Sequence, residues 1–192
     1  LRMSRGLGDV YKRQLVSLTK EMNKKLKGSI TYKFGKQVVV LDKNTYSSWL
    51  KIKKDYSGYK VDKNAMENWL LKFMYKYNTQ YGWHKFKTHD GRTKKIYGGP
   101  YGWRISKDKE MASVKKMLKE GTTETREPYW REKAKVYDGV NGDIGDTYVE
   151  VDMGAQTVYY YKKGKLKFKF SNKKIEPSWI SDTMVSLSLI HI

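Results

Sequence analysis

Turn signals divide this chain into short segments, and that spacing limits the fold more than any other feature. Gly28, Gly35-Lys36, Asp90-Gly91, the run Gly98-Gly99-Pro100-Tyr101-Gly102, Gly121, Gly154 and Lys163-Gly164 all punctuate periodic stretches. Between them the hydrophobic period switches between helical and strand-like. Leu15, Leu18, Met22 and Leu26 predict a helix that Gly28 ends. SITYKF and KQVVVL across Gly35-Lys36 predict a hairpin. Asp42-Lys43-Asn44 before Trp49-Leu50, and Asp62-Lys63-Asn64 before Trp69-Leu70, read as two Asp-capped helices, each burying a Trp-Leu pair. The first is short, about residues 43–52. The second carries Met66, Trp69, Leu70, Phe73 and Tyr77 along one face.

Asp90-Gly91 lies between Lys85–Thr88 and Thr93–Tyr97 and predicts a second hairpin. Trp103–Ile105 reads as a short strand. Ser106 is placed to cap a helix with Met111, Val114, Met117 and Leu118 inward, and Gly121 stops it. Residues 124–131 read as extended, and 138–146 as a polar, Gly-rich connector. From Thr147 the alternation is all β: TYVEV with Thr147, Val149 and Val151 on one face, QTVYYY, then Leu166, Phe168 and Phe170 between lysines. Three strands of this length cannot enclose a core alone. Their outward edges are expected to lack partners, as the start of a larger β domain. The fold class is therefore α+β, with mixed helices and short antiparallel strands followed by an incomplete β-meander.

The two ends differ from the middle. Residues 1–14 lack a clean amphipathic period, and the tail VSLSLIHI is apolar without a partner pattern. Both resemble translated sequencing-adaptor read-through, so 1–14 and 171–192 are expected to be non-native ends of an internal fragment. No run approaches the roughly 18 apolar residues of a membrane helix.

The chain carries 40 Lys+Arg against 20 Asp+Glu, a formal charge of +20. Leaving out residues 1–14 and 171–192 keeps 34 against 17, so the basic character belongs to the middle. Anionic surroundings follow from such a balance. With 33 Lys and only 7 Arg, the chain lacks the bidentate forks that nucleic-acid readers favour. The absence of cysteine excludes disulfides, thiolate metal sites and a cysteine nucleophile in this sequence.

Trp83, Lys85, Phe86, Tyr97, Tyr101, Trp103 and Arg104 interleave rings with cations. That composition suits single-stranded nucleic acid or polysaccharide, whose sugar C–H faces lie on aromatic rings; equally, half of the rings could fill a β core. His84 and His89 lack convergent ligands and read as exposed loop histidines rather than a metal pair. The Gly98–Gly102 loop lacks the following helix of a phosphate cradle. Asp143/Asp146 and Glu150/Asp152 have nothing that sets a glycosidase separation of roughly 5–9 Å, and Asp143 and Asp146 read as turn residues. No catalytic residue, metal ligand or cofactor is expected.

Three ordered stretches carry a resemblance. They are Tyr77-Asn78-Thr79 with Phe86, Thr88 and Gly91; Gly98-Gly99, Tyr101-Gly102-Trp103 and Ile105 with Glu110 and Arg126-Glu127-Pro128; and Asp143-Ile144-Gly145 with Thr147–Asp152, Gln156, Tyr161 and Gly164. The set resembles the peptidoglycan-binding domain that precedes the catalytic domain of bacterial L,D-transpeptidases, and then the entry strands of the YkuD-type catalytic domain. The resemblance implies residues 15–145 as a wall-binding α+β domain and 146–170 as the start of a catalytic β domain. It implies extracytoplasmic cell-wall work, with peptide cross-links made by acyl transfer through a cysteine thiolate. The family's S-H-G-C-x-R stretch has no counterpart here, so the chain as given is expected to be inactive. Implied partners are peptidoglycan and the missing remainder of the catalytic domain; nucleic acid is disfavoured, and membrane contact is expected only through an N-terminal anchor outside this sequence. Candidate ligand contacts are Trp83, Arg92, Tyr97, Tyr101, Trp103 and Arg104. The alternatives are a basic nucleic-acid-binding module, or a scaffold domain with no ligand of its own.

Overall fold

Two aspartates start two helices, as their spacing predicts. The Asp42 carboxylate accepts from the amides of Asn44 (3.0 Å) and Thr45, and that of Asp62 from Asn64 and Ala65 (both 3.1 Å). Each satisfies amides that have no partner within the first helical turn. The computed structural model describes residues 2–55, 57–139, 141–171 and 187–190, with the backbone alone for 2–7, 25 and 187–190. In chain order the elements begin with α1 (Arg2–Lys25), β1 (Ser29–Phe34), β2 (Gln37–Leu41), α2 (Lys43–Tyr46), β3 (Leu50–Ile52), β4 (Tyr59–Val61) and α3 (Lys63–Tyr77). Then come β5 (Trp83–Lys87), β6 (Thr93–Tyr97), β7 (Arg104–Ile105), α4 (Lys107–Glu120), β8 (Thr123–Arg126) and β9 (Trp130–Glu132). Finally come β10 (Tyr148–Asp152), β11 (Thr157–Lys162), β12 (Lys165–Ser171) and β13 (Leu187–Ile190). The fold is α+β. Helix α1 runs through residues 2–14, while 172–186 and 191–192 of the other expected non-native end lie outside the described residues.

Contacts gather the chain into two compact units, Leu1–Asn78 with Arg104–Arg131, and Thr79–Trp103 with Glu132–Ile192. In the first unit, β1 pairs antiparallel with β2 and parallel with β8, giving the order β2-β1-β8. Period-2 alternation sends Ile30, Tyr32 and Phe34 to one face, where all three are buried. Met66, Leu70 and Phe73 of α3 and Val114, Met117 and Leu118 of α4 complete this core. Tyr32 and Phe34 meet Phe73 at 4.8 and 6.4 Å between ring centroids. Trp69 stacks on Phe73 at 5.4 Å, and Trp49 is buried beside it.

The short Trp49 helix departs from expectation. α2 ends at Tyr46, Ser47–Trp49 forms a 3₁₀ turn, and Leu50 begins β3, opposite Val61 of β4. The tighter turn still buries Trp49, and pairing with β4 claims the residues that a longer helix would have used. Ser106 occupies the N-cap position of α4 without a side-chain capping bond.

One charged cluster lies within this apolar core. Glu110 on α4 is fully buried. Arg126 of β8 grips it with both terminal nitrogens (2.8 and 2.9 Å), the Tyr32 hydroxyl donates at 2.8 Å, and the Tyr129 amide donates at 2.5 Å. Burial, and then the neighbouring Glu110 carboxylate, hold the Tyr32 phenol far above its usual range, so it stays a donor.

In the second unit β5 and β6 form the hairpin around Asp90-Gly91, with Gly91 at φ 84°. The sheet order is β12-β11-β10-β13, all antiparallel. The outer edge of β10, expected to be open, pairs with β13 from Val149↔Ile190 to Asp152↔Leu187. β12 has no partner beyond β11 among the described residues. Tyr148, Glu150 and Val151 are buried, and Val149 only partly. Phe86, Ile144 and Tyr148 form the core, with Ile96, Tyr101 and Tyr161 packed on it. Residues 141–146 are folded into the unit, with Asn141, Asp143 and Ile144 buried.

Breaking the Glu110 cluster from one side leaves a buried, unpaired carboxylate. Arg126→Ala should cost about 3–5 kcal/mol, whereas Tyr32→Phe should cost about 1–2 kcal/mol. Urea unfolding midpoints, compared at constant m, measure both.

Candidate functional site

The β5–β6 hairpin builds its outer face by simple geometry. Residues equidistant from Asp90 pair across the turn, so Trp83 faces Tyr97, His84 faces Ile96, and Lys85 faces Lys95. Alternation then sends His84 and Phe86 inward and Trp83, Lys85 and Lys87 outward. Trp83 is 69% exposed and Tyr97 50%, their rings 5.5 Å apart at 55°. Directly behind this aromatic pair stands the Lys85/Lys95 pair, both exposed. Like charges opposite one another weaken a ladder, so this pair contributes charge to the surface rather than strength to the sheet.

The loop after the hairpin is held rigidly. The Thr79 amide donates to the Trp103 carbonyl (2.9 Å), and the Trp103 amide donates to the Thr79 hydroxyl (2.8 Å). Gly102 sits at φ 144°, where a Cβ would come within 2.5 Å of the Gln80 nitrogen, so only glycine fits. The Trp103 indole N–H donates to the Val136 carbonyl at 2.7 Å, and the ring is buried. The Tyr101 hydroxyl donates to the Asp143 carbonyl and accepts from the Lys135 amide, both at 3.0 Å.

The six expected contacts therefore separate. Trp83 and Tyr97 stand together in the open. Arg92 is exposed at the hairpin tip but bound to Asp90, with Nε and Nη2 both at 2.5 Å from Oδ2. That guanidinium and the Thr88 hydroxyl hold the Asp90 carboxyl well below its usual range. Tyr101 and Trp103 serve packing, and the half-buried Arg104 lies in the first unit.

The histidines differ from the exposed-loop expectation. His84 is buried on the inner face of β5, its Nδ1 3.8 Å from Asp143 Oδ2. The Thr79 hydroxyl donates to the same carboxylate, which is itself buried. His89 donates its backbone amide to both oxygens of the fully buried Glu150 (3.1 and 3.0 Å). Its ring nitrogen Nδ1 lies 2.7 Å from Glu150 Oε1, and the ring stacks on Tyr159 at 4.0 Å. A cavity of about 740 Å³ opens here, lined by Lys87, Thr88, His89, Asn141, Tyr148 and Tyr161 among others. Burial and then the neighbouring Tyr161 push the Tyr148 phenol up to about 12, so the cavity wall is a neutral phenol. Among the described residues no His, Asp or Glu cluster could hold a metal ion. The buried acids lock the loops that carry the hairpin; no sequence pattern marked Glu150 or Asp143 for this, because strand alternation identifies faces rather than partners.

A family profile described as "Putative peptidoglycan binding domain" matches residues 12–126, more than half of the chain. The chain belongs to this family. Two solved structures share its fold at 27% identity. One is the Ldtfm–avibactam carbamoyl enzyme (TM-score 0.62, 82% of this chain and 60% of that one). The other is a cysteine-to-serine mutant of Enterococcus faecium L,D-transpeptidase (TM-score 0.61, 80% and 60%). The chain thus spans 60% of the length of these transpeptidase chains, and the likeness covers more of it than the family profile does. No curated protein matches the chain. Among the described residues, no helix is long and apolar enough to cross a membrane.

Burial raises the carboxyl of Asp143 above its ordinary value of 3.8, outweighing the Thr79 hydrogen bond and His84. The neutral acid is favoured in the fold, so as pH rises from about 4 through the raised folded value, Asp143 withdraws stability. Asp143→Asn cannot ionise and keeps an acceptor for Thr79. Relative to the parent chain, its urea midpoint should improve from pH 4 to pH 7; an offset independent of pH would refute the assignment.

Proposed function

We propose that the chain is the wall-binding part of an L,D-transpeptidase and holds peptidoglycan on the outer face of the β5–β6 hairpin. The observation that carries this is the exposed Trp83–Tyr97 pair backed by Lys85 and Lys95, in a chain of the peptidoglycan-binding family. A glycan strand offers C–H faces to the two rings, and carboxylates on the wall polymer meet the lysines. Arg92 adds a cation at the hairpin tip, partly neutralised by Asp90. The +20 charge adds a long-range attraction that salt screens over roughly 8–10 Å.

In this reading residues 15–145 are the binding part and 146–170 the opening strands of a YkuD-type catalytic domain. Leu166, Phe168 and Phe170 on β12 are each about half exposed, as suits strands that further β structure covers. The whole protein works outside the cytoplasm of a bacterium and cross-links stem peptides through a cysteine acyl-enzyme. This sequence has no cysteine, so that chemistry lies outside it. Membrane attachment belongs to the whole protein as well. A scaffold role draws support from one specific observation. Trp103 and Tyr101, the rings of the Gly98–Trp103 loop, are engaged in packing rather than offered to a ligand.

Binding to purified insoluble peptidoglycan separates these readings. The chain should be retained at moderate salt, and Trp83→Ala or Tyr97→Ala should each reduce retention several-fold, consistent with about 0.5–1.5 kcal/mol per aromatic contact. Thermal stability should hardly change, because both rings are exposed. Retention that ignores both substitutions, or that salt and an oligonucleotide competitor abolish equally, leaves a scaffold with polycation behaviour.

A further inference from the structure

Strand β8 closes one side of the β2-β1-β8 sheet, and no strand pairs with its other side among the described residues. The Ser29 amide donates to the Thr122 carbonyl at 3.0 Å. Backbone groups alternate sides along a strand, so Thr122, Glu124 and Arg126 serve β1, while the amides and carbonyls of Thr123 and Thr125 point outward. Both threonines are exposed, whereas Glu124 and Arg126 are half-buried beneath α4.

Beside this edge runs a groove of about 510 Å³, within the range of ligand-binding clefts. Its walls include Lys109, Ala112, Ser113 and Lys116 of α4, Thr123 of β8 and Tyr129. The small Ala112 and Ser113 keep the α4 wall low at the middle. Tyr129 is 41% exposed and is fixed by Arg126, whose guanidinium lies 4.1 Å over its ring. Glu124, the one carboxylate in the lining, is already bound by Arg126 Nε at 2.9 Å and by the Ser113 hydroxyl. The remaining charge is that of Lys109 and Lys116. They stand seven residues apart, about 10 Å along the helix, a separation that carboxylates two to four residues apart on an extended strand can meet.

We propose that this groove binds an extended acidic peptide segment of a protein partner, which adds a fourth strand to β8 while its carboxylates pair with Lys109 and Lys116. Main-chain bonds to Thr123 and Thr125 give the affinity, and the lysines select the charge. The site lies wholly in the first unit and does not depend on the hairpin reading. The Glu110–Arg126 cluster keeps the site ready-made, because it fixes both walls, α4 and β8, against each other.

Fluorescence anisotropy tests this on the full chain with a fluorescein-labelled peptide of alternating Val and Glu, its Val–Lys counterpart, and a soluble muropeptide. The Val–Glu peptide should bind and the Val–Lys peptide should not. Thr125→Pro removes one outward amide at a position where an edge strand tolerates proline, and should weaken binding about tenfold. Thr125→Val, which keeps the amide, should not. Joint Lys109→Glu and Lys116→Glu substitution should also abolish binding, and it leaves the strand intact if the proline variant fails to fold. In ¹H–¹⁵N spectra the Val–Glu peptide should shift the Thr123 and Thr125 amides first. Equal affinity for the two peptides, binding unaffected by either set of substitutions, shifts confined to the hairpin, or binding of the muropeptide alone would each overturn the proposal. Trp83→Ala should leave peptide binding unchanged, so failure here and failure of the hairpin reading are distinguishable.

Discussion

The pairing of Glu110 with Arg126 organises the first unit. A carboxylate taken fully out of water costs several kcal/mol even after relaxation, and the interior repays this only if its lone pairs are filled. Here they are: two guanidinium bonds, one phenol and one backbone amide. The four donors come from β8, β1 and the Tyr129 segment, and the acceptor from α4. The apolar core could tolerate small slips among these elements at modest cost, since packing is adaptable. The ion cluster is not so tolerant, because a shift of one residue in β8 would move Arg126 to the opposite face of the sheet. The parallel register of β1 with β8, from Ser29↔Thr123 to Tyr32↔Arg126, is thus set by polar geometry as much as by burial.

A similar logic recurs in the second unit. Glu150, fully buried on β10, accepts both the backbone and the ring of His89, the residue that follows Thr88 at the end of the hairpin. Asp143 receives the Thr79 hydroxyl at the start of the same segment. Both ends of the segment that carries Trp83 are therefore tied to buried carboxylates. An exposed aromatic pair on a rigid strand loses little conformational entropy when a ligand covers it, which is the condition a sugar-stacking surface needs.

Much of this was legible in the sequence, for reasons that can be named. The Asp caps at 42 and 62, the Gly121 stop at φ 69° and the hairpin at Asp90-Gly91 are local signals, decided by the few residues around them. The pairing of Trp83 with Tyr97 was also available, because a turn at Asp90 makes them equidistant. What stayed hidden were long-range choices. The parallel pairing of β8, nearly a hundred residues from β1, leaves no trace in local alternation. The burial of His84 followed from period-2 alternation once β5 began at Trp83, two residues earlier than the Lys85 boundary. The Asp42 cap alone predicts a helix through Trp49, but the extended preference at Leu50–Ile52 and its ladder with β4 outweigh the helix after one turn.

The preference for lysine over arginine bears on how such a surface works. An exposed lysine paired with a ligand carboxylate contributes about 0–1 kcal/mol and is weakened by salt, and a stacked ring adds about 0.5–1.5 kcal/mol beyond the area it buries. On the proposed function, one hairpin face would therefore hold a single sugar-peptide unit only weakly. A polymer changes the outcome, because every repeat beside the first is held at high effective concentration, and rebinding extends residence without any stronger contact. On that reading, weak and repeated engagement would leave the chain able to move along the polymer, whereas tight bidentate arginine contacts would hold it at one position. If the chain engages a continuous wall polymer as proposed, the lysine-and-aromatic composition suits repeated weak contact better than a high-affinity pocket would.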